Sequence, residues 1–346
     1  MKARVLQYRF GGYSSFVELG SEALLERFVG NRAVVVWDEN TTSLLAPLHE
    51  LPSVTLPPGE RTKSLDTVSH LLERFLEEGL ERDATVMAVG GGVVCDASAL
   101  AASLYMRGAR LVLIPTTLLA MVDAALGGKT GVNFSGYKNL AGTFYPAEQI
   151  IIIPETLETL PQREYLSGLA EVIKSAMLGD PALFEILAAR VDAVLERDPE
   201  VVEELILRSV AVKGRIVEQD FTDRSGREWL NLGHTFAHAL ESVTGFEGWT
   251  HGEAVAWGIV QALRCGEAAG ITDPGYAATA TELLRRYGFR CEIDTISVDA
   301  LIDAMQHDKK NRAGQVRYVL QRRPGETELR ELNPELIRGV LNRNLS

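Results

Sequence analysis

The chain has 346 residues, a length that suggests two domains at about 150 residues each. Apolar residues make up 46% of the sequence and charged residues 24%, which excludes a disordered, collagen-like or coiled-coil chain. Asp and Glu total 47 against 35 Lys and Arg, so the net charge is −12, and general binding to nucleic acid or to an anionic membrane is not expected. A small anionic ligand stays compatible with this charge, because it needs only a local cluster of cations.

The sequence carries no sign of export or membrane insertion. The first residues lack the apolar segment of a signal peptide. The most apolar stretch, residues 111–126, is short and contains Pro115 and Asp123, so it predicts no membrane-spanning helix. The three cysteines are far apart, which argues against a disulfide framework or a thiolate zinc site. We expect a cytoplasmic protein.

Short β-branched runs alternate with helical patterns in the first part of the chain. Strands are predicted at residues 33–37, 53–56, 85–89, 111–114 and 150–153. Helices are predicted at residues 64–78 and 96–105. Continuous apolar strands separated by helices indicate a parallel sheet that is covered on both faces.

After Pro154 nearly all of the chain has helical periodicity. Helices are predicted at residues 163–178, 181–196, 199–219, 228–243, 252–269, 277–287 and 298–307, and a β-like segment at 315–320. We therefore predict an α/β protein, with an N-terminal Rossmann-like parallel-sheet domain at 1–154 and a mostly helical domain at 155–346. Ligand sites favour the cleft between two such domains.

A triple glycine at residues 90–92 ends a predicted strand and precedes a helix. Backbone N–H groups and the helix dipole meet a pyrophosphate at such a junction. The Rossmann fingerprint is incomplete, because residue 95 is cysteine and no acidic residue follows about twenty positions later. The segment predicts either a nucleotide site or a tight turn in which glycine is needed for a positive φ. Asp38, at the end of an early strand, is similarly either a ribose-binding carboxylate or a cap.

A second glycine-rich segment surrounds Lys129 and Lys138. It is not a P-loop, because the position that requires an upstream glycine is Asp123. Between residues 97 and 147 four cations accompany this one aspartate, a net charge of +3 within an acidic chain. Glycines and isolated cations together predict a loop that binds a phosphorylated ligand, or else an ordinary surface loop.

Three of the six histidines cluster late in the chain. His234 and His238 are four residues apart on a predicted helix and share one face. His251 begins the next predicted helix. Glu171 and Lys174 place a carboxylate and an ammonium on an otherwise apolar helix, where burying them without a metal or ligand would be costly. This group predicts a metal site with nitrogen and oxygen ligands.

Taken in order, these segments resemble the 3-dehydroquinate synthase family of the sugar-phosphate cyclase superfamily. The resemblance runs from about residue 35 to 320, through residues 90–96, 105–108, 115–119, 122–123, 127–133, 138–139, 168–174, 231–238, 251–254 and 308–310. It implies an NAD-binding first domain, a metal- and substrate-binding second domain, and a homodimer. Single segments are weakly diagnostic, whereas the ordered set is specific.

The resemblance also implies which residues hold each ligand. The zinc ligands, which would also hold Co²⁺, match Glu171, His234 and His251. The NAD contacts match Asp38, Asn40, Glu60, Lys63, Gly91, Gly92, Val93, Asp96, Thr116 and Thr117, together with Lys129 and Lys138. The substrate-binding and catalytic positions match Asp123, Lys129, Lys138, Asn139, Lys174, Lys213, Arg227, Asn231, His238 and Lys309. Arg107 matches an arginine that family members extend into the neighbouring subunit's site.

The implied substrate is a phosphorylated sugar acid, 3-deoxy-D-arabino-heptulosonate 7-phosphate. In the implied reaction NAD removes a hydride at C5, phosphate leaves by elimination, and the hydride returns. The ring then opens, and an intramolecular aldol reaction closes the carbocycle of 3-dehydroquinate, an intermediate of aromatic amino acid biosynthesis by the shikimate pathway. Zinc would bind the vicinal hydroxyl oxygens, and Lys and Arg would bind the two anionic ends.

Several positions depart from the family pattern. Cys95 replaces a glycine, Met121 and Ala124-Ala125 replace Gln and Ser-Ser, and residues 134–137 replace a His-Pro-rich stretch. The last segment looks like that of sibling cyclases that use sedoheptulose 7-phosphate. Positions expected to bind the substrate carboxylate are retained, namely Arg227, Asn231, His238 and Lys309. The carboxylated substrate is therefore favoured.

Three alternatives stay open at this point. One is a sibling cyclase, such as 2-epi-5-epi-valiolone synthase, or 2-deoxy-scyllo-inosose synthase acting on glucose 6-phosphate. Another is a polyol or glycerol-phosphate dehydrogenase on the same scaffold, which would release NADH in stoichiometric amounts. The third is a catalytically inactive protein that binds a metal or nucleotide.

Overall fold

The computed structural model describes residues 3–223, 226–245, 248–293, 296–311 and 316–343, except for the side chains of residues 307–311. The chain divides into two compact units. The first contains Met1–Pro161 and Lys213–Thr222, and the second contains Gln162–Val212 and Asp223–Ser346. The ligand-binding roles expected for residues 1–154 and 155–346 stay predictions.

The first unit is an α/β fold. Its elements are β1 (Arg4–Phe10), β2 (Tyr13–Leu19), β3 (Ala33–Asp38), β4 (Ser53–Leu56), α1 (Leu65–Glu77), β5 (Thr85–Gly90), α2 (Gly92–Leu104), β6 (Arg110–Pro115), β7 (Lys129–Phe134), β8 (Tyr137–Phe144) and β9 (Gln149–Ile152). Connections include 3-10 helices at Glu39–Thr41, Glu60–Thr62 and Tyr105–Arg107, and a π-helical turn at Ala120–Ala124.

Seven strands form one sheet in the order β1-β2-β9-β6-β5-β3-β4. Strands β1 and β2 are antiparallel, and all the other neighbouring pairs are parallel. The parallel strands are apolar throughout, as at Val34, Val35 and Val36, because both faces of the sheet are covered. On one face Val35 packs in a core with Leu25 and Leu48 of two 3-10 helices. The predicted parallel sheet is confirmed.

Two hairpins of the first unit differ from the sequence expectation. The β1–β2 hairpin extends the sheet by one antiparallel pair that the apolar patterns do not reveal. Strands β7 and β8 pair with each other, so the prediction of a glycine-rich loop around the two lysines is wrong. Gly142 permits this pairing, because a Cβ there would lie 2.0 Å from the carbonyl oxygen of Thr130.

The second unit is mostly helical. Its elements, together with the end of α6 that belongs to the first unit, are α3 (Gln162–Gly179), α4 (Pro181–Ala189), α5 (Val191–Leu195), α6 (Pro199–Gln219), α7 (His234–Val243), α8 (His251–Ala268), α9 (Pro274–Arg286), α10 (Val298–Asn311), β10 (Arg317–Arg323), β11 (Glu326–Glu331) and α11 (Pro334–Asn342). Across the part of the chain that the structure describes, no helix is both long and apolar enough to cross a membrane.

Two predicted helices of this unit require correction. The helix predicted at 228–243 begins at His234, because Arg227–Asn231 is a 3-10 helix and Gly233 adopts a φ of 80°. The helix predicted at 181–196 breaks at Arg190 into α4 and α5, since the backbone there is not helical. The mostly helical structure predicted after Pro154 is otherwise confirmed.

Candidate functional site

The carboxyl ends of β3 and β5 lie side by side, because Trp37 pairs with Val89 in the sheet. The chain continues from β3 to β4 on one side and from β5 to β6 on the other, so the strand order reverses between β3 and β5. Parallel sheets bind dinucleotides at such a reversal. Asp38 ends β3 and Gly90 ends β5, which places the triple glycine beside Asp38.

Glycine allows close packing at the turn between β5 and α2. A Cβ on Gly90 would lie 2.9 Å from the Cβ of Val94 and 3.3 Å from the Cβ of Asp38. Gly91 is the N-cap of α2 and offers no side-chain acceptor to the first N–H groups of this 13-residue helix. Those N–H groups and the helix dipole suit a phosphate group. None of the three glycines has a positive φ, so the prediction of a turn that needs this conformation is wrong. Close packing requires the glycines instead, and the residues of the turn fit a dinucleotide.

Asp38 caps the 3-10 helix that follows β3. Its Oδ1 accepts a hydrogen bond from the backbone N–H of Asn40 at 2.8 Å. The hydroxyl of Thr41 donates to the Asp38 carbonyl oxygen at 2.9 Å. The interpretation of Asp38 as a cap is confirmed, and its role toward a ribose stays a prediction.

Lys63 and Asp96 form an ion pair beside α2, with 2.5 Å between Nζ and Oδ2. Burial raises the pKa of Asp96, although the Lys63 ammonium opposes that shift. Glu60 Oε1 accepts a hydrogen bond from Asn133 Nδ2 at 2.8 Å, and the N–H of Asn133 donates to the Lys63 carbonyl oxygen at 2.9 Å. These contacts hold three predicted cofactor residues together with β7.

Two threonines after β6 border the same glycine turn. The N–H of Thr116 donates to the carbonyl oxygen of Gly90 at 3.0 Å. The Cγ2 of Thr117 lies 3.2 Å from the point where a Cβ on Gly91 would stand. Both residues thus belong to the group at the carboxyl edge of the sheet, as the predicted set of cofactor residues requires.

Asp123 and Lys213 form a further ion pair in the first unit. Lys213 Nζ lies 2.6 Å from Asp123 Oδ1 and 2.6 Å from the Asp123 carbonyl oxygen. The Lys213 side chain is 7% exposed and that of Asp123 is 26% exposed. Lys213 comes from α6, so no local sequence pattern indicates this pair.

The other predicted polar residues of the first unit are exposed. Lys129, Lys138 and Asn139 lie on the β7–β8 hairpin. Arg107 ends the short 3-10 helix after α2, where Met106 and Arg107 have φ values of 47° and 66°. Left-handed conformations cost about 1–2 kcal/mol for each non-glycine residue. The exposed Arg107 is therefore held in a strained turn.

Three side chains of the second unit converge from three helices. Glu171 lies on α3, and His234 and His251 are the first residues of α7 and α8. Each histidine has its Nε2 atom 3.7 Å from Glu171 Oε1. One ligand atom from each of the three residues lies within 4.8 Å of the others. The predicted ligand group is thus assembled in space.

Glycines let the three helices approach. A Cβ on Gly258 of α8 would lie 2.2 Å from the carbonyl oxygen of Gly233, the N-cap of α7. The backbone N–H of Gly252 donates to the hydroxyl of Ser167 on α3 at 3.0 Å. These contacts fix the N-terminus of α8 against both α3 and α7, and so place His251 near the other two ligands.

A capping box holds the first turn of α8. The Thr250 side chain accepts from the N–H of Glu253, and the Glu253 carboxylate accepts from the N–H of Thr250. Arg163 donates to Glu253 Oε2 at 2.9 Å and to the Gly248 carbonyl oxygen at 2.9 Å. The turn before His251 is therefore anchored to α3 through a charged hydrogen bond.

The pKa values of the two imidazoles in this group are shifted in opposite directions. Burial, with help from the Lys174 ammonium, places the pKa of His234 well below its usual value. Burial also lowers the pKa of His251, but contacts with the Glu171 and Glu241 carboxylates outweigh it and raise this pKa to about 9. Lys174 forms an ion pair with Glu171, and both side chains are almost completely buried.

Two imidazoles and one carboxylate fit a catalytic zinc ion, which takes three protein ligands and keeps one coordination position open. The same donors accept Co²⁺. The Nε2 atoms of His234 and His251 both face Glu171, so a single ion can contact all three residues. The residues present therefore fit the predicted metal.

Other predicted residues of the second unit flank this group. Arg227 is buried and Asn231 half-buried, at the two ends of the 3-10 helix before α7. The His238 ring centroid lies 5.5 Å from that of His234, which confirms their common face. Lys309 is in α10, and its side chain lies outside the described residues. Sequence reasoning misses Glu241, whose only sequence indication is its position two helical turns after His234.

The chain is similar to known proteins over most of its length. The family model described as 3-dehydroquinate synthase N-terminal matches residues 53–167, and the one described as 3-dehydroquinate synthase C-terminal matches residues 168–311. A protein named 3-dehydroquinate synthase from Halorhodospira halophila is 40% identical over 329 residues, covering 93% of each chain. One of the same name from Nostoc punctiforme is 40% identical over 343 residues, which are 96% of this chain and 93% of that protein.

Solved structures share the fold. ValA (2-epi-5-epi-valiolone synthase) from Streptomyces hygroscopicus subsp. jinggangensis, with NAD⁺ and Zn²⁺ bound, is 28% identical over 98% of each chain, with a TM-score of 0.88. A 2-deoxy-scyllo-inosose synthase has a TM-score of 0.87 and 23% identity, over 99% of this chain and 100% of that one. The matched family models and the 40% identical relatives show that the chain belongs to the 3-dehydroquinate synthase family.

Proposed function

We propose that this chain converts 3-deoxy-D-arabino-heptulosonate 7-phosphate into 3-dehydroquinate and phosphate. One observation carries the proposal most directly. The Glu171, His234 and His251 group, which suits a catalytic metal, occurs in a chain that is 40% identical to proteins named 3-dehydroquinate synthase. The reaction has no net oxidation, so NAD acts as a catalyst and is regenerated in each cycle.

The carboxyl edge of the sheet in the first unit is the proposed NAD site. Bound NAD supplies a reversible hydride acceptor at this edge. The N-terminus of α2, from Gly91 and Gly92, would hold the pyrophosphate, and Asp38 would accept hydrogen bonds from a ribose. The remaining proposed contacts are Asn40, Glu60, Lys63, Val93, Asp96, Thr116, Thr117, Lys129 and Lys138.

Glu171, His234 and His251 are the proposed ligands of Zn²⁺, with Co²⁺ as a substitute. A bound zinc ion supplies a Lewis acid that lowers the pKa of a coordinated hydroxyl. Lys174 forms a buried ion pair with Glu171, one of these ligands. Its ammonium would balance the negative charge of Glu171 and donate a hydrogen bond to bound substrate.

The two anionic ends of the substrate require cations. Arg227 has the planar fork that binds a carboxylate in bidentate fashion. Lysines suit the phosphate as point charges, and Asp123 orients the buried Lys213 ammonium through their ion pair. The further proposed substrate residues are Lys129, Lys138, Asn139, Asn231, His238 and Lys309.

We also propose a homodimer in which Arg107 reaches the neighbouring subunit's site. The strained turn that carries Arg107 directly follows α2, and exposed apolar side chains occur in α2, in this turn and in the β7–β8 hairpin. The Thr143 hydroxyl joins that hairpin to Ser103 of α2 at 3.1 Å. The exposed apolar residues are Leu104, Met106, Phe134, Tyr137, Leu140 and Phe144. Such a surface is typical of a protein interface.

A substrate panel tests the proposal. Purified protein with zinc and NAD is given the heptulosonate phosphate, sedoheptulose 7-phosphate or glucose 6-phosphate, while phosphate release is followed and products are identified by NMR. We expect 3-dehydroquinate from the first substrate only, and no turnover by the His251→Ala variant. Turnover of sedoheptulose 7-phosphate alone would make this chain a sibling cyclase and overturn the proposal. The structural similarity to ValA makes that the most informative alternative.

A further inference from the structure

Both candidate histidine ligands present the same nitrogen to the metal position. The Nε2 atoms of His234 and His251 face Glu171 Oε1 at 3.7 Å. On the opposite side of each ring, Nδ1 faces an acceptor. For His234 the acceptor is the Leu232 carbonyl oxygen at 3.3 Å, and for His251 it is Glu241 Oε1 at 3.4 Å. Each ring therefore has one nitrogen for a metal and one for a hydrogen bond.

Glu241 is placed for this contact by α7. It follows His234 by seven residues, which is about two helical turns, and its side chain is 6% exposed. A carboxylate that deep in the protein is costly unless charged or polar partners surround it. Its contact with His251 crosses from α7 to the first residue of α8. The Glu241 carboxylate thus connects α7, the helix that begins with His234, to the ring of His251.

We propose that Glu241 is a positioning residue of the metal site, whose carboxylate accepts the Nδ1–H of His251 and thereby directs Nε2 of that ring to the metal. The inference rests on the metal site of the proposed function. Glu241 is not a fourth ligand in this assignment, because the compact ligand group consists of Glu171, His234 and His251.

The physical consequence is a stronger metal site. A carboxylate on Nδ1 fixes the imidazole tautomer with a free lone pair on Nε2 and makes that nitrogen a better donor. Removing such an outer partner typically weakens metal binding by about 10–100-fold. A purely structural carboxylate would change stability and leave metal affinity almost unaltered.

Three variants of the full chain distinguish a positioning role of Glu241 from a purely structural one. Glu241→Ala removes the acceptor, and Glu241→Gln keeps an oxygen acceptor without the charge. Glu203→Gln is the matched control, because Glu203 is a similarly buried carboxylate at 7% exposure and is outside the ligand group. Zinc affinity is measured by chelator competition on metal-free protein. Thermal unfolding of the metal-free form reports folding, and the visible spectrum of the Co²⁺ form reports ligand geometry.

We expect Glu241→Ala to bind zinc about 10–100-fold more weakly, Glu241→Gln to lose less, and Glu203→Gln to match the parent. The Co²⁺ spectrum of Glu241→Ala should change as the His251 ring turns. Zinc affinities that agree within about twofold for parent and folded Glu241→Ala would overturn the proposal. Since no substrate is present, a parent that binds zinc but makes no 3-dehydroquinate would refute the proposed function and leave this test valid.

Discussion

Gly252, the second residue of α8, lies so close to Ser167 of α3 that a Cβ would stand 2.1 Å from the Ser167 carbonyl oxygen. Gly252 directly follows His251, and Ser167 precedes Glu171 by about one helical turn. The contact between a glycine and a backbone therefore sets the distance between two candidate metal ligands. No larger residue fits at position 252 without moving α8 away from α3.

Gly252→Ala should weaken both folding and metal binding. The added methyl cannot be accommodated by a flexible side chain, because it meets backbone atoms, so we expect a loss of about 1–3 kcal/mol or more in the free energy of unfolding. Zinc affinity should fall with it as His251 moves. Gly339→Ala on α11 is the control, since nothing lies within 4 Å of a Cβ there and the change should be neutral or stabilising. Unaltered zinc affinity in a folded Gly252→Ala protein would contradict this account.

Lys174→Met should affect the metal-free and zinc-loaded proteins differently. In the metal-free protein the change breaks the buried ion pair between Lys174 and Glu171, which typically costs about 3–5 kcal/mol, although the His251 imidazole still faces the Glu171 carboxylate. A bound zinc ion supplies the missing positive charge, so the loaded protein should lose less. By linkage the variant should bind zinc more tightly, by about tenfold or more. Urea unfolding with and without zinc measures the difference, and equal losses in both states would refute the prediction.

The three cysteines should be unreactive in the folded protein. All are buried, and burial raises the pKa of each thiol, to about 12 for Cys265, to about 11 for Cys291, and still higher for Cys95. At pH 8 the reactive thiolate is therefore scarce and inaccessible. We expect no rapid thiol labelling until the chain is unfolded, when three groups should react. Fast labelling of Cys95 in the native protein would show that the turn beside α2 opens.

The capping box of α8 predicts a pH-dependent contribution to stability. Burial raises the pKa of Glu253, but the Arg163 guanidinium and the N–H of Thr250 outweigh burial and lower this pKa below 4.5. A carboxyl whose pKa is lower in the folded state stabilises above its unfolded pKa and loses that effect as pH falls through the folded value. Glu253→Gln should therefore cost about 1 kcal/mol at pH 7 and less below pH 4.

Urea unfolding of parent and Glu253→Gln across that range measures this trend. Glu282→Gln is the matched control, because Glu282 is 61% exposed and its ion pair with Arg285 spans 3.9 Å. An exposed pair of that kind contributes little, so this variant should match the parent at every pH. A difference for Glu253→Gln that grows as pH falls would have the wrong sign for this account.

Local patterns predict the elements whose apolar residues repeat without interruption. The strand at Val34–Val36 belongs to this class, because its continuous β-branched residues suit a buried strand. Local patterns do not predict the β7–β8 hairpin, because nearly all of β8 is exposed and so carries no apolar pattern. Its pairing also depends on a close backbone contact at Gly142. The break at Arg190 is not predicted, because Ala188 and Ala189 before it are strong helix formers and the helical spacing of apolar residues continues through Val191 and Val194.

In the candidate site, too, local patterns predict some residues and miss others. His234 and His238 could be paired from helical spacing alone. The clustered histidines and the charge expected to be buried at Glu171 predict a metal site, and the family resemblance then implies Glu171, His234 and His251 as its ligands. Glu241 has no such resemblance behind it, and it is found only when α7 and α8 are seen to bring its carboxylate to the His251 ring. Contacts between elements therefore define the part of the site that sequence reasoning cannot reach.

The most direct test of the proposed function is the balance between phosphate and NADH in one reaction. Zinc-loaded protein is mixed with the heptulosonate phosphate and with NAD at a small fraction of the substrate concentration. We expect complete conversion, with one phosphate released per 3-dehydroquinate and no accumulation of NADH, because the hydride returns in each cycle. Turnover that stops when NAD is consumed, with NADH formed in equal amount to product, would contradict it and indicate a dehydrogenase.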